Sequence, residues 1–166
     1  EGEAFLYATQ HAIENGQALL VVTQGGGMKM QEGLISLSQM TRTTLAINDL
    51  KKANLPYLVL LADPTAGGIT ASYAMLGDLN LAEPGALVAF AGARVIQGTV
   101  KEELPIGFQR AEYLQKTGFV DAIIERKDLS NKIGIILSIL LNKNSVNTEQ
   151  SVNLISDTEI IKKEAS

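Results

Sequence analysis

The sequence predicts a layered α/β domain whose strands are joined by crossover helices. Three observations carry that prediction. Two apolar, β-rich runs, residues 18–22 (ALLVV) and 57–61 (YLVLL), have the unbroken hydrophobicity of strands covered on both faces. Each run leads into adjacent glycines, Gly25-Gly26-Gly27 after the first and Gly67-Gly68 after the second. A helical pattern follows each glycine turn, and strand, turn and helix in repeated order make a crossover fold.

The elements follow in order. Residues 3–15 read as a first helix, with Ala4, Phe5, Ala8 and Ala12 on one face and Gly16 as its stop. After the first strand, a helix is expected from about Gln31. Leu34, Ile35, Leu37, Met40, Leu45, Ile47 and Leu50 form its apolar side, and Asn54 and Pro56 end it. The second strand runs through Pro64-Thr65-Ala66-Gly67-Gly68 into a helix over 69–76. Residues 79–82 and 87–91 are short strand candidates parted by Pro84-Gly85. A basic amphipathic stretch begins at Arg94, and the loop Leu104-Pro105-Ile106-Gly107 precedes a short helix over 111–116, closed by Gly118. Residues 120–124 form a last strand, and Asp128 is expected to cap a final helix reaching Leu141. From Asn144 the composition turns to Asn, Ser, Thr, Glu and Lys. Residues 1–143 are thus the expected folded core and 144–166 a polar, mobile tail.

Composition narrows the function. The chain has 166 residues, 46% hydrophobic and 19% charged, which is one domain of globular type. A net charge of −4, with no basic run longer than Lys51-Lys52, argues against nucleic acid or an anionic membrane as partner. The apolar run over 133–141 is interrupted by Gly134 and Ser138 and falls short of the roughly 20 residues that span a bilayer. No charged segment precedes a hydrophobic one at the start, so no secretory signal is expected. The absence of cysteine removes disulfides, thiol nucleophiles and thiolate metal sites, and fits a reducing compartment. One histidine, His11, makes a His-based metal site unfavourable. The chain opens on Glu1 and not on Met, so it is expected to be a piece of something longer.

The two glycine turns are where chemistry can live. A helix N-terminus carries unpaired N–H groups and a partial positive charge, and glycine lets a ligand approach them closely. Such a turn suits a phosphate or a developing oxyanion; the same glycines also serve as plain caps and tight turns. Gly25-Gly26-Gly27-Met28-Lys29 fits neither the dinucleotide fingerprint nor the phosphate-binding loop. His11 reads as a packing or surface residue. Ser72 reads as a small residue that lets a helix pack tightly, and it has no histidine after it. Asp63 and Glu83, at strand ends, are better candidates for structural hydrogen bonds than for an acid–base pair. The residues therefore offer backbone donors and little side-chain acid–base apparatus. That suits a reaction whose cofactor brings its own base.

Four blocks carry a family resemblance. Gly26-Gly27-Met28-Lys29-Met30-Gln31-Glu32-Gly33 is similar to a Gly-Gly-Ala-Arg-Met-Gln-Glu-Gly motif. Residues 64–84, PTAGGITASYAMLGDLNLAEP, match a second segment almost letter for letter. Residues 90–96 (FAGARVI) and 104–113 (LPIGFQRAEY) match two more in the same order. Over roughly residues 2–141 the chain resembles the beta subunits of bacterial-type acetyl-CoA carboxylase carboxyltransferase.

The resemblance implies a crotonase-type fold, a spiral of ββα units, here lacking its first strands. It implies that Gly26 and Gly27 are catalytic through backbone N–H groups that hold an oxyanion, favoured as the thioester enolate. Gly67 and Gly68 would shape the floor of the cleft, and Gly25, Lys29 and Arg94 would join them in binding substrate. Carboxybiotin on a biotin carboxyl carrier protein would release its carboxyl group beside acetyl-CoA, the biotin would take the α-proton, and the enolate would yield malonyl-CoA. The partner implied is an alpha subunit, in a heterotetramer with the active site between subunits, in the bacterial cytoplasm rather than a plastid. The family's four-cysteine zinc ribbon is missing, so no zinc is expected in this chain. Met28 and Lys29 replace a small residue and an arginine, Ala93 replaces a proline, and Gln97-Gly98 replace a more acidic pair. Three other readings stand beside this one: a crotonase-fold coenzyme A hydratase or isomerase, a related serine peptidase, and an inactive, non-catalytic remnant.

Overall fold

The structure, a computed structural model, describes residues 2–101 and 103–141, so the tail expected over 144–166 lies outside the described residues. The chain divides into two compact units, Glu1–Arg126 and Lys127–Ser166. In the first, four parallel pairings join five strands into one sheet. Strand β1 (Leu19–Gly25) pairs with β2 (Tyr57–Ala66), β2 with β3 (Leu79–Ala82), and β3 with β5 (Ala122–Ile123), while β4 (Val88–Ala89) pairs with the far end of β2. The helices of this unit are α1 (Gly2–Glu14), α2 (Leu34–Lys52), α3 (Ala93–Val100) and α4 (Ala111–Lys116). In chain order β3, β4 and α3 make a ββα unit.

Strand β2 is the spine, and its sequence says why. Tyr57, Leu58, Val59 and Leu61 have no exposed surface, so both faces of this strand are covered. Tyr57, Val59 and Leu61 share a buried cluster with Ala12 of α1 and Ile47 and Leu50 of α2. Phe5 meets the Tyr57 ring edge-on at 6.3 Å, and the Tyr57 hydroxyl donates to the Tyr73 carbonyl at 2.9 Å. Burial first, and then the neighbouring Tyr73, push the Tyr57 phenol well above its ordinary pKa.

Strand β1 departs from the two-sided burial expected of it. Leu20 and Val22 are 36% and 61% exposed while Thr23 is buried. A continuous apolar run does not distinguish a central strand from an edge one, and β1 is the edge of the described sheet. Helix α2 also differs. It begins at Leu34, after a 3₁₀ turn over Met30–Glu32 and Gly33, and of its apolar side only Ile47 and Leu50 are fully buried. Leu34, Ile35, Leu37 and Leu45 are exposed. Burying a side chain of this size is worth about 1.5–3 kcal/mol, so the C-terminal half of α2 anchors it.

The helix expected over 69–76 is a run of turns followed by a 3₁₀ turn at Tyr73–Met75. Hydroxyls explain it. Thr70 Oγ1 donates toward the Gly67 and Ala89 carbonyls (2.9 and 2.8 Å), and Ser72 Oγ donates to the Gly68 carbonyl (2.6 Å). The Ser72 N–H turns to the Ile69 carbonyl at 3.3 Å and leaves the Gly68 carbonyl to the Ser72 hydroxyl, while the Gly67 carbonyl keeps the Ala71 N–H at 3.0 Å, so one helical turn forms without continuing. The strands expected over 87–91 and 120–124 shorten to β4 and β5.

Asp63 and Glu83 are structural, as their positions suggested. Asp63 accepts the Leu87 N–H at 2.7 Å. Glu83, after β3, receives a fork from Arg126, after β5, at 2.7 and 2.9 Å. The bond from Arg126 holds the Glu83 carboxyl below the usual value of 4.5. A lowered folded-state pKa gives stability that is present above pH 4.5 and is lost as pH falls through the lowered value. Glu83→Gln should therefore flatten the acid limb of unfolding between those values, as read by denaturant midpoints against pH. An unchanged limb would exclude the pair as its source.

In the second unit, α5 (Leu129–Leu140) buries Ile135 and exposes Ile139. Asp128 stands at its N-terminus but makes no capping hydrogen bond. A capping side chain needs extended backbone, and Asp128, at φ −98° and ψ −9°, already closes a 3₁₀ turn.

Candidate active site

Both glycine turns leave the C-terminal ends of adjacent parallel strands, where α/β sheets bind their ligands. Their meeting follows from the register. Thr23 faces Leu61 but Gly25 faces Thr65, so β2 carries two more residues across this step, with the cis bond Asp63-Pro64 within it. The step is held by two buried hydroxyls, Thr23 Oγ1 and Thr65 Oγ1, 3.1 Å apart. Thr65 Oγ1 also lies 2.9 Å from the Thr23 carbonyl and 2.8 Å from that of Ala62.

Above these threonines the turns touch backbone to backbone. A Cβ on Gly67 would lie 2.9 Å from the Gly27 Cα and 3.3 Å from the Gly26 carbonyl oxygen, and Gly67 has φ +66°. Gly27 has φ +128°, and its own Cβ position lies 3.8 Å from the Gly68 nitrogen. Side chains interlock around them. Ile69 Cδ1 fills the space beside Gly25, at 2.8 Å from where a Cβ would be, and the Met28 thioether fills the space beside Gly68.

The backbone donors divide cleanly. The Gly67 N–H is committed to the Ala89 carbonyl of β4 at 3.0 Å. Among the described residues, the N–H groups of Gly26, Gly27 and Gly68 form no hydrogen bond. Neither turn opens a regular helix directly, so these donors act as local dipoles and not through a helix terminus. Three unpaired N–H groups gathered at crossed turns suit an oxygen that gains negative charge.

The other expected residues are placed as follows. Gly25 ends β1 against Ile69. Lys29 is exposed, 3.8 Å from Glu32. Arg94 lies in the first turn of α3, and its side chain is outside the described part of the structure. Ser72 is 6% exposed with its hydroxyl committed to the Gly68 carbonyl, which is poor placement for a nucleophile. His11 is exposed on α1, stacked on Tyr7 and 3.4 Å from Asn15. No group of three His, Cys, Asp or Glu among the described residues is arranged to hold a metal. No helix among them is long and apolar enough to cross a membrane.

Sequence reasoning missed a cavity of about 490 Å³ beside the second turn, lined by Thr70, Met75, Phe90, Phe108 and Gln109 among others. Gln109 is 7% exposed at φ +64° and donates from Nε2 to the Ala91 carbonyl at 2.8 Å. Its Oε1 is buried with no hydrogen-bond partner among the described residues. Periodicity gives no signal for it, since it sits in an irregular loop.

Residues 1–111 match the family model of the carboxyl transferase domain. The chain is 72% identical, over all of its 166 residues and 54% of the relative, to the acetyl-coenzyme A carboxylase carboxyl transferase subunit beta of Pelagibacter ubique. It spans about half the length of the curated relatives it matches. Among solved structures, transcarboxylase 12S with hydrolysed methylmalonyl-coenzyme A bound superposes at TM-score 0.70, with 24% identity over 82% of this chain and 27% of that one. An enoyl-CoA hydratase of Mycobacterium smegmatis superposes at TM-score 0.57, with 15% identity over 97% of this chain and 77% of that one. The fold is thus the crotonase-like one that the motifs implied.

Proposed function

Since this chain belongs to the carboxyl transferase family, we propose that it forms half of an acetyl-CoA carboxylase site. That site moves a carboxyl group from carboxybiotin to acetyl-CoA, giving malonyl-CoA for fatty-acid synthesis in the bacterial cytoplasm. The observation that carries the proposal is the set of unpaired N–H groups at Gly26, Gly27 and Gly68. The two ionisable groups at the neighbouring strand ends, Asp63 and Glu83, are committed elsewhere. The thioester oxygen of acetyl-CoA sits against these donors, and charge that grows on it as the α-carbon loses its proton meets dipoles already in place. The chain binds, orients and stabilises; it moves no proton itself. When bound, carboxybiotin on its carrier protein supplies the carboxyl group and the base.

A carboxyltransferase alpha subunit supplies the opposite wall. The exposed apolar residues Leu20, Val22, Leu34, Ile35 and Leu37 support a chain that works within an assembly. The full-length subunit with its alpha-type partner is expected to transfer carboxyl from malonyl-CoA to biotin, and this chain alone to be silent. Transfer by the chain alone would contradict the half-site. Silence of the complete pair would contradict the function.

A further inference from the structure

We infer that Thr70 is a positioning residue of this site, whose hydroxyl aims the Gly68 N–H by holding the carbonyl of the same peptide group. The inference rests on the carboxyltransferase reading above. In a planar trans peptide the C=O of one residue and the N–H of the next point in opposite directions, so fixing one fixes the other. The Gly68 N–H, one of the three unpaired donors, therefore takes its direction from the Gly67 carbonyl. That carbonyl accepts from the Ala71 N–H at 3.0 Å and from the Thr70 hydroxyl at 2.9 Å. Bonds to a carbonyl also polarise its peptide group, which makes the N–H opposite a stronger donor.

The same hydroxyl ties the turn to a neighbouring strand. Thr70 Oγ1 lies 2.8 Å from the Ala89 carbonyl of β4, which also accepts the Gly67 N–H at 3.0 Å, and its one hydrogen is shared between the two carbonyls. Both peptide groups flanking Gly67 are thus referred to one buried hydroxyl. Gly67, at φ +66°, has no side chain to resist rotation, so its control comes from outside the residue. Ser72 is the natural comparison. Its hydroxyl meets the Gly68 carbonyl at 2.6 Å, and that carbonyl belongs to the next peptide group, not to the one that carries the Gly68 N–H. Of these two hydroxyls, only that of Thr70 acts on the donor.

The test measures kcat and KM for acetyl-CoA in the full-length subunit assembled with its alpha partner and carrier. Thr70→Val keeps the shape and removes the hydroxyl. It orphans neither carbonyl, since the Ala71 and Gly67 N–H groups remain, so the variant should fold and assemble. It should lower kcat about tenfold with KM little changed, short of the roughly 10²–10³-fold that loss of a whole donor costs. Thr70→Ser, which keeps the hydroxyl, should hold kcat near that of the unaltered assembly, and Ser72→Ala should stay within a few-fold. An unmoved kcat in Thr70→Val, or an equal fall in Thr70→Ser, overturns the inference and leaves the carboxyltransferase reading standing. An equal fall in Ser72→Ala makes the effect a general loosening of the turn and overturns it likewise, as does a Thr70→Val subunit that fails to assemble. An unaltered assembly that forms no malonyl-CoA overturns the reading and the inference together.

Discussion

Gly27→Val is expected to lower malonyl-CoA formation by the assembled enzyme about 10²–10³-fold, the loss that removal of one well-placed oxyanion donor produces. Gly27 has φ +128°, a conformation that a β-branched residue does not adopt without strain, so the peptide must rotate. Rotation carries the unpaired N–H away from its direction. The added methyl groups also enter a space already bounded by Gly67 and Ala66. Ser72→Ala is the contrast. It removes a hydroxyl whose partner is the Gly68 carbonyl, so turnover should stay within a few-fold. Steady-state malonyl-CoA formation separates the two. Abolished turnover in Ser72→Ala with retained turnover in Gly27→Val would mean a hydroxyl nucleophile instead.

Gly67→Ala should destabilise the fold by about 2–5 kcal/mol. Left-handed backbone at φ +66° costs a residue with a Cβ about 1–2 kcal/mol. A methyl group 2.9 Å from the Gly27 Cα overpacks a contact between two main chains, at roughly 1–3 kcal/mol more. Neither neighbour is a flexible side-chain end that can swing aside. Gly85→Ala makes a useful control, since it shares the left-handed strain at φ +68° but meets nothing within 4 Å. Denaturant unfolding of the two variants should place Gly67→Ala clearly below Gly85→Ala. Equal midpoints would show that strain alone is felt and that the turns do not press on each other.

Much of this was legible in the sequence, for identifiable reasons. β2 reads directly because an unbroken apolar run at the centre of a sheet is buried on both faces. The same pattern misled at β1, where Leu20 and Val22 are exposed, since hydrophobicity does not report how many neighbours a strand has. Local chemistry hid the irregular turn after Gly68. The hydroxyls of Thr70 and Ser72 compete for carbonyls there, and nothing in residue spacing marks the competition. The glycine pairs were visible as candidates one by one. Their contact was not, because it depends on a register step between β1 and β2 that only pairing defines. Gly67 illustrates the difference: its letter suggests a donor, while its N–H is spent on Ala89.

On the function proposed above, backbone N–H groups at the crossed turns polarise a thioester carbonyl. Isotope-edited infrared spectra of a ¹³C=O-labelled acetyl-CoA bound to the assembled subunits test it most directly. The carbonyl band should move to lower frequency on binding, and Gly27→Val should return it toward its position in water while the thioester remains bound. A band that does not shift on binding, or whose shift survives Gly27→Val undiminished, would contradict the claim.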